Sequence, residues 1–253
     1  MKIEILAPSY RRAHMAFTQE YISACRYVVS EDEAPEYERA GKKIIPCPTS
    51  AQGNLCRVRN WILDNTEAEG VLILDDDISA LGAFEGNKAK RFTEHEAMEF
   101  IETGFVLARE WGVKFWGVNI APDKVNYREY TPFSTTAYIG GPFQAHIGNP
   151  CRYDERLSLK EDYDMTLQVL SKFRQALRFN MAFYVAKQTE QVGGCATYRT
   201  SEREREHFER LRKKWGSHIV RKDGGENKAY TRKRGASVKQ DINPIICAPI
   251  GGV

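Results

Sequence analysis

The first half of the chain alternates apolar segments of strand length with segments of helical periodicity. The four predicted strands are KIEILA (2–7), RYVVS (26–30), KKIIPC (42–47) and VLIL (71–74). The three predicted helices cover residues 14–25, residues 31–41, which close on Gly41, and residues 54–65. This alternation predicts parallel strands with right-handed crossovers, and therefore an open α/β sheet that binds its ligand at the carboxyl ends of the strands.

The second half of the chain is less regular. Its pattern predicts, in chain order, a helix over 93–111 with Gly104 inside it, a strand over 113–120, two antiparallel additions at 130–141 and 144–149, a helix over 160–174 and a strand over 178–188. Ser201 and Glu204 form a predicted capping box at the start of a basic, charged helix.

These elements predict an α/β fold. We expect one domain over residues 1–220 with a Rossmann-like, mostly parallel mixed sheet flanked by helices. Residues 221–241 contain almost no apolar side chains, and we expect a basic mobile loop and C-terminal tail over 221–253.

The composition is that of an ordinary globular domain. With 253 residues and 42% hydrophobic content, the chain is long enough for one sizeable core. No apolar run approaches the roughly 18 residues that span a bilayer, and the six cysteines form no CxxC pair, which argues against a zinc module and a disulfide scaffold. We therefore expect a cytoplasmic protein without membrane contact, and a monomer.

The charge is unevenly distributed along the chain. Residues 199–239 hold 14 Lys and Arg against 6 Asp and Glu, a net charge of +8, whereas the rest of the chain carries a net −5. This asymmetry suggests a polyanionic partner such as nucleic acid. The alternative interpretation is a solvated helix followed by a loose basic loop.

Three consecutive acids, Asp75, Asp76 and Asp77, directly follow the predicted strand VLIL. The carboxyl end of a parallel strand is where an open α/β sheet binds ligands. Asp75 and Asp77 can converge on a Mg²⁺ or Mn²⁺ ion, which removes their mutual repulsion and leaves coordination positions for phosphate oxygens. The alternative interpretation is an acidic loop that faces water.

Two arginines and two further acids are candidates for the same site. Arg57 and Arg59 lie in the helix that leads into the acidic strand, where a guanidinium can bind ribose or phosphate, although both are also ordinary surface charges. Glu161 and Asp162 open the helix over 160–174. They act either as an acceptor-orienting acid and a general base, with Asp162 as the base, or only as acids that stabilise the helix dipole.

Four stretches resemble elements of the GT-A glycosyltransferases: VLILDDD (71–77), APSYRR (7–12), GNLCRVRNWIL (53–63) and YDERLSLKEDYDMTL (153–167). The resemblance implies a UDP-sugar as the donor, Mn²⁺ or Mg²⁺ as the cofactor, and Glu161 and Asp162 as the catalytic acids. The implied donor-binding residues are Pro8, Ser9, Tyr10, Arg11, Arg57, Arg59, Asn60, Asp75 and Asp76. The implied metal ligands are Asp75, Asp77 and His218, the last of which is otherwise a solvated surface residue.

Most of residues 1–220 also resemble the TET-associated glycosyltransferase family, found largely in bacteriophages, through KIEILAPSYRR, IPCPTSAQGNLCRVRNWIL, GVLILDDDIS, LKEDYDMTLQVL and VGGCATYR. The resemblance implies transfer of a sugar to the hydroxymethyl group of a modified pyrimidine, 5-hydroxymethylcytosine, in phage DNA. It also implies a location in the cytoplasm of the infected bacterial host. A base in a duplex must leave the stack to reach such a site, and Phe143, Tyr138 and Tyr198 are candidate stacking partners.

Several other functions fit the same residues. One is a GT-A enzyme with a polysaccharide, lipid or protein acceptor, and another is a nucleotidyltransferase that uses the acids for a two-metal reaction. The non-enzymatic alternative is an inactive DNA-binding accessory protein, against which the intact acid set of Asp75, Asp77, Glu161 and Asp162 argues. Gly193 and Gly194 form either a mobile flap over the site or a simple turn.

Overall fold

A computed structural model describes residues 1–86, 88–120, 127–186, 194–221 and 242–250. The strands are β1 (Ile3–Pro8), β2 (Arg26–Ser30), β3 (Ile44–Cys47), β4 (Gly70–Leu74), β5 (Ile78–Glu85), β6 (Lys88–Arg91), β7 (Phe115–Ile120), β8 (Phe133–Ser134), β9 (Phe143–Ile147), β10 (Leu177–Ala186), β11 (Val220–Arg221) and β12 (Ile245–Ile246). The helices are α1 (Thr18–Tyr21), α2 (Ala34–Arg39), α3 (Leu55–Asn65), α4 (Glu94–Glu110), α5 (Glu161–Phe173) and α6 (Ser201–Trp215).

The main sheet has the strand order β3-β2-β1-β4-β9-β7-β10-β5-β6, with β8 paired to β10. Strands β1 to β4 are parallel to one another, and β9 inserts antiparallel between β4 and β7. The mixed, mostly parallel α/β sheet and the antiparallel additions at 130–141 and 144–149 are therefore confirmed. Strand β4 lies near the centre of the sheet, and all five of its residues are buried.

The core has one layer on each face of this sheet. Alternate residues of β4 point to opposite faces, so that Leu72 and Leu74 pack in one layer while Val71 and Ile73 pack in the other. Helix α4 contributes to the first layer and helices α3 and α5 contribute to the second. Because both faces of β4 are covered by apolar side chains, its position is fixed, and so is that of the polar residues that directly follow it.

Helix α1 is much shorter than the predicted helix over 14–25. The backbone N–H groups of Phe17 and Thr18 donate to the carbonyl oxygen of Asp76, at 3.0 and 3.2 Å. Those bonds attach this segment to the end of β4. The chain therefore uses the first donors of the predicted helix for a long-range contact, which local periodicity does not reveal.

The start of α6 also differs from the prediction. Its N-cap is Thr200, whose hydroxyl accepts from the backbone N–H of Arg203 at 3.2 Å. The predicted capping box of Ser201 and Glu204 does not form, because Glu204 is buried and pairs with Lys160. The S-x-x-E pattern therefore predicts an N-cap one residue after the observed one. Glu204 has a packing role instead.

Strands β5 and β6 were absent from the sequence prediction. They form a hairpin on which β5 pairs antiparallel with both β10 and β6. β6, with sequence KAKR, is exposed at all four positions. A strand whose four side chains are all exposed carries no hydrophobic alternation signal, so only its pairing with β5 defines it.

The C-terminal helix α6 packs against α5 through a small separate core. Leu167 of α5 contacts the layer formed by Phe208 and Leu211 of α6, together with Val220. Strand β12 then pairs antiparallel with β11. Most of the basic loop predicted over 221–241 lies outside the described residues. Within the described ranges, no helix has the length and apolar character needed to cross a membrane.

Gly104 in α4 provides a test of this packing. A Cβ atom added to Gly104 would lie 2.4 Å from the Trp116 ring. Ala normally stabilises a helix interior by about 1 kcal/mol relative to Gly. We expect Gly104→Ala to lower the free energy of unfolding by about 1–3 kcal/mol instead, because the buried ring must shift. Urea unfolding measures this, with exposed Thr103→Ala as the control; a stabilised G104A protein would contradict the packing.

Candidate active site

The acidic turn, formed by Asp75, Asp76 and Asp77, connects the end of β4 to the start of β5. Thr18, which is fully buried, holds this turn from α1. Its hydroxyl donates to the carbonyl oxygen of Asp75 at 2.7 Å and accepts from the backbone N–H of Ile78 at 2.9 Å. The backbone of the turn is therefore fixed on both sides of the three carboxylates.

The middle carboxylate is bound by residues that follow β1. Oδ2 of Asp76 accepts from the Ser9 hydroxyl at 2.5 Å, and Oδ1 accepts from Nη1 of Arg12 at 2.7 Å. The Tyr37 hydroxyl lies 2.7 Å from the Ser9 hydroxyl and accepts from the Arg12 backbone N–H. Because β1 and β4 are parallel neighbours, their carboxyl ends place these groups together.

Arg59 on α3 joins the acidic turn to the start of α5. Its side chain is 1% exposed, and it forms ion pairs with Asp75 at 3.1 Å and with Glu161 at 3.2 Å. It also donates to the Gly141 carbonyl at 2.9 Å and to Oε1 of Gln144 at 3.2 Å. Burial alone lowers the pKa of Arg59, but the surrounding negative groups outweigh burial and raise it.

A chain of buried hydrogen bonds lies behind Arg59. The Tyr153 hydroxyl donates to Oε1 of Gln144 at 2.6 Å, so His146 Nε2, 3.0 Å from that hydroxyl, acts as the donor to it. Nδ1 of His146 then accepts from the Asn149 amide at 3.1 Å. Burial lowers the pKa of His146 to about 3, which keeps the imidazole neutral and fixes the polarity of the chain.

Asp162 is held by the segment between β8 and β9. Its Oδ2 accepts from the Tyr138 hydroxyl and from the Gly141 backbone N–H at 3.1 Å, and its Oδ1 accepts from the Tyr163 backbone N–H at 2.8 Å. The rings of Tyr138 and Tyr163 stack with centroids 4.1 Å apart. A carboxylate has about four lone pairs, and the described residues use three of them, which leaves one on Oδ1.

The site carries more negative than positive charge. Two guanidinium groups, of Arg12 and Arg59, contact carboxylates of the set Asp75, Asp76, Asp77, Glu161 and Asp162. Burial, together with repulsion by Asp75 and Asp76, raises the pKa of Asp77 to about 7. Burial, together with Asp162, raises the pKa of Glu161 to about 8. Burial and the neighbouring carboxylates both disfavour the ionised forms of Asp77 and Glu161, and a bound cation would favour them.

Asp77 is the carboxylate best suited to a metal ion. Its side chain is buried, and its Oδ1 has no hydrogen-bond partner among the residues that the structure describes. The described residues contain no group of three His, Cys, Asp or Glu side chains arranged to enclose a metal ion. The unpartnered Oδ1 of Asp77 and the neighbouring carboxylate of Asp75 fit a hard cation that takes its further ligands from a substrate.

Seven of the residues predicted for the site come together in this structure: Ser9, Arg59, Asp75, Asp76, Asp77, Glu161 and Asp162. Pro8 ends β1, and Tyr10 follows Ser9, where its carbonyl accepts from the Gly194 N–H at 3.1 Å. Arg11 points away, with its guanidinium over the Tyr10 ring and its backbone N–H bonded to Glu33. Arg12, rather than Arg11, contacts the acidic turn.

Two of the predicted donor-binding residues on α3 make other contacts. Arg57 is 42% exposed, and its guanidinium lies 3.5 Å from Glu155 and donates to the Ser50 carbonyl at 2.8 Å. Asn60 uses both ends of its amide on the backbone of Tyr153, at 2.9 and 2.7 Å. Asn60 therefore fixes the segment that leads to α5, and neither side chain contacts the acidic turn in the described residues.

His218 lies on the exposed turn between α6 and β11. Within the described ranges, no contact joins it to the acidic turn, and its role as a metal ligand stays a prediction. Gly193 lies outside the described residues, whereas Gly194 begins a short 3₁₀ helix, Gly194–Thr197.

The predicted role of Phe143 as a stacking partner for a flipped base is wrong. Phe143 is fully buried in β9, where its ring packs 5.3 Å from the Trp116 ring, so a flipped base has no access to it. Tyr198 is partly exposed, and its hydroxyl lies 3.0 Å from the Cys195 sulfur. The ring of Tyr138 is already stacked on that of Tyr163.

The sequence prediction did not include Arg12, Thr18 and Gln144 as site residues, and it named Tyr138 only as a stacking partner, because each joins the site through a long-range contact. A signal did exist for the burial of Arg59. It lies four residues after Leu55 and three before Ile62, on the apolar face of α3, whereas Arg57 does not. A charged residue on an apolar face indicates a buried partner.

Helix α6 anchors the residues immediately before Glu161. Nζ of Lys160 donates to Oε2 of Glu204 at 2.5 Å in a pair whose side chains are 3% and 2% exposed. The backbone N–H of Leu159 donates to Nδ1 of His207 at 3.2 Å. These buried contacts set the position from which α5 begins, and so the position of its first two acids.

The comparisons with known proteins concern the fold. No protein-family model and no curated protein matches the sequence. Glucosyl-3-phosphoglycerate synthase from Mycobacterium tuberculosis, crystallised with Mn²⁺, UDP-glucose and phosphoglyceric acid, is similar with a TM-score of 0.52 at 10% identity, over 89% of this chain and 85% of that chain. A structure described as a mycobacterial protein is similar with a TM-score of 0.51 at 9% identity, over 98% and 84%. These similarities concern the fold alone, and the predicted α/β fold with a mostly parallel mixed sheet flanked by helices is confirmed.

The raised pKa of Glu161 makes the stability of the metal-free protein depend on pH. The folded state binds a proton between the unfolded pKa, about 4.3, and the folded value of about 8. The free energy of unfolding is therefore expected to fall as the pH rises through this window, by at most about 1.4 kcal/mol per pH unit for one group.

Glu161→Gln removes the carboxyl group that binds this proton. The free energy of unfolding of E161Q, measured with urea from pH 5 to 9 in a chelating buffer, is therefore expected to depend less on pH than that of the wild-type protein. Exposed Glu102→Gln serves as the control. Equal pH slopes in E161Q and the wild-type protein would contradict the assignment.

Proposed function

We propose that this protein is a metal-dependent glycosyltransferase that uses a UDP-sugar as its donor. The observation that carries this proposal is the acidic turn at the carboxyl end of β4, which the buried Arg59 joins to Glu161 at the start of α5. A solved structure of similar fold was crystallised with Mn²⁺ and UDP-glucose, which supports the choice of donor and cofactor.

Asp75 and Asp77 are the residues that would hold Mn²⁺ or Mg²⁺, with His218 as a further candidate ligand. When bound, the ion neutralises negative charge on the diphosphate leaving group. The orphaned Oδ1 of Asp77 supports this assignment. The residues at the end of β1 and directly after it, from Pro8 to Arg11, are proposed to receive the nucleotide base, and Ser9 holds Asp76 beside them.

Asp162 is the proposed general base. Its Oδ2 is occupied by two protein donors, so Oδ1 is the oxygen that accepts the proton of the acceptor hydroxyl. The acceptor oxygen then bonds to the anomeric carbon of the sugar while the bond from that carbon to the UDP oxygen breaks. Glu161, which Arg59 holds through an ion pair at 3.2 Å, is the acid proposed to orient the acceptor.

The acceptor we propose is the hydroxymethyl group of 5-hydroxymethylcytosine in phage DNA. Two features support it: the resemblance over most of residues 1–220 and the net +8 of residues 199–239. Part of that charge serves the fold, since Lys214 pairs with Asp154 and Asp164. Residues 222–241, which carry much of the rest, are proposed to contact the DNA phosphates.

A transfer assay tests both levels of the proposal. The protein is incubated with Mn²⁺, a panel of UDP-sugars, and duplex DNA with or without 5-hydroxymethylcytosine, and nucleosides are analysed by mass spectrometry. We expect a mass increase of one sugar only on the hydroxymethylated nucleoside. Transfer to an oligosaccharide or a protein but never to DNA would retain the glycosyltransferase and reject the DNA acceptor.

The metal site has its own test. Asp77→Asn keeps the shape of the side chain but removes its charge, so we expect Mn²⁺ binding, measured by electron paramagnetic resonance, to weaken by about 100-fold. Transfer is expected to fall below detection while the thermal stability of the metal-free protein is retained. Exposed Asp64→Asn, outside the acidic turn, is the matched control. Unchanged Mn²⁺ affinity in D77N would remove Asp77 from the metal site.

A further inference from the structure

The hydrogen bonds of Arg59 leave no donor for a substrate on its two terminal nitrogens. Nη1 donates to Gln144 and Glu161, and Nη2 donates to Asp75 and Gly141. Each terminal nitrogen of a guanidinium carries two N–H groups. All four are therefore used within the protein.

Arg59 also has no exposed surface to offer a phosphate. The whole residue is 0% exposed, and its remaining donor, Nε, is buried without a partner among the described residues. A donor phosphate would have to displace Asp75 or Glu161 to reach it. The predicted role of Arg59 in donor binding therefore conflicts with its position behind the carboxylates.

The four acceptors of Arg59 come from separate parts of the fold. Asp75 follows β4, Gly141 precedes β9, Gln144 lies on β9 and Glu161 begins α5. The planar fork of a guanidinium fixes the directions of its N–H groups. Arg59 therefore sets the distance between the donor side of the site at Asp75 and the acceptor side at Glu161.

The buried chain behind Arg59 fixes the guanidinium in turn. Oε1 of Gln144 accepts from both Arg59 and Tyr153, and the order of donors continues through His146 to Asn149. The Arg59 guanidinium also lies 5.5 Å from the centre of the Tyr153 ring. Gln144, through which this chain of hydrogen bonds reaches Arg59, is fully buried and has no contact with solvent.

We propose that Arg59 is a positioning residue that holds Asp75 and Glu161 in register across the site, and that Gln144 holds Arg59 in that orientation. The proposal rests on the proposed glycosyl transfer for its kinetic test. The proposal replaces the predicted role of Arg59 in donor binding by a role that acts through Asp75 and Glu161.

Arg59→Lys tests the geometry while it keeps the positive charge, because an ammonium group cannot bond all four acceptors in the same plane. We expect kcat to fall by about 100-fold, as for a displacement of about 1 Å at a reacting centre. The Kd for UDP at saturating Mn²⁺, measured by calorimetry, is expected to change by less than about threefold. A weakening of UDP binding by more than tenfold with kcat unchanged would show a phosphate ligand and overturn the proposal.

Arg109→Lys is the matched control, since Arg109 is an exposed arginine in the last turn of α4 and has no assigned role in the site. Both values are expected to stay at the wild-type level in R109K. If R59K fails to fold, Gln144→Met decides the question, because Gln144 cannot reach the donor. We expect Q144M to lower kcat by about tenfold with UDP affinity unchanged; an unchanged kcat would refute the proposal.

A measurement that does not depend on transfer separates this proposal from the proposed function. Mn²⁺ affinity without a donor is expected to weaken by about tenfold in R59K, because Asp75 loses its fixed orientation, and to stay unchanged in R109K. A wild-type protein without transferase activity would reject the proposed function, whereas equal Mn²⁺ affinity in R59K and the wild-type protein would reject the positioning role.

Discussion

The buried guanidinium of Arg59 is the interaction on which the arrangement of the site depends. An isolated buried charge is strongly unfavourable, and a buried carboxylate is equally so. Arg59 and its partners Asp75 and Glu161 therefore require one another, although they belong to α3, the end of β4 and the start of α5. The same contact that compensates these charges determines how the three elements pack.

This dependence explains why the surrounding structure is rigid in so many places. Thr18 fixes the backbone of the acidic turn, and Asn60 fixes the backbone of Tyr153. Helix α6 fixes the start of α5 through Lys160 and the Leu159 N–H. Each contact restricts one of the elements that Arg59 joins, so that a displacement of one element would leave a buried charge uncompensated.

The sequence predicted the parallel half of the fold closely because that half is built from local patterns. Strand β2 has the predicted bounds, and helix α3 differs from its predicted range by one residue. The prediction failed where long-range contacts decide the local structure. α1 is shorter than predicted because the N–H groups of Phe17 and Thr18 donate to the Asp76 carbonyl, and β6 forms only through its pairing with β5. Local periodicity contains no information about such partners.

The same distinction applies to the site. The acids of VLILDDD and of the α5 start were predictable, because strand ends and helix starts are visible in the sequence. The choice between Arg11 and Arg12 was not, since it depends on the left-handed backbone of Arg11, with φ of 55°, which directs the two side chains apart. Gln144 and Tyr138 join the site only through the order of strands in the sheet.

The charge balance of the site links its stability to its chemistry. Raised pKa values at Asp77 and Glu161 mean that the folded protein holds these carboxylates less favourably than water does near neutral pH. The apolar strand β4 and the paired arginines maintain the cluster despite this cost. A cation that binds the folded state alone would remove part of it and stabilise the fold by mass action. Metal affinity and the thermal stability of this protein are therefore expected to rise together.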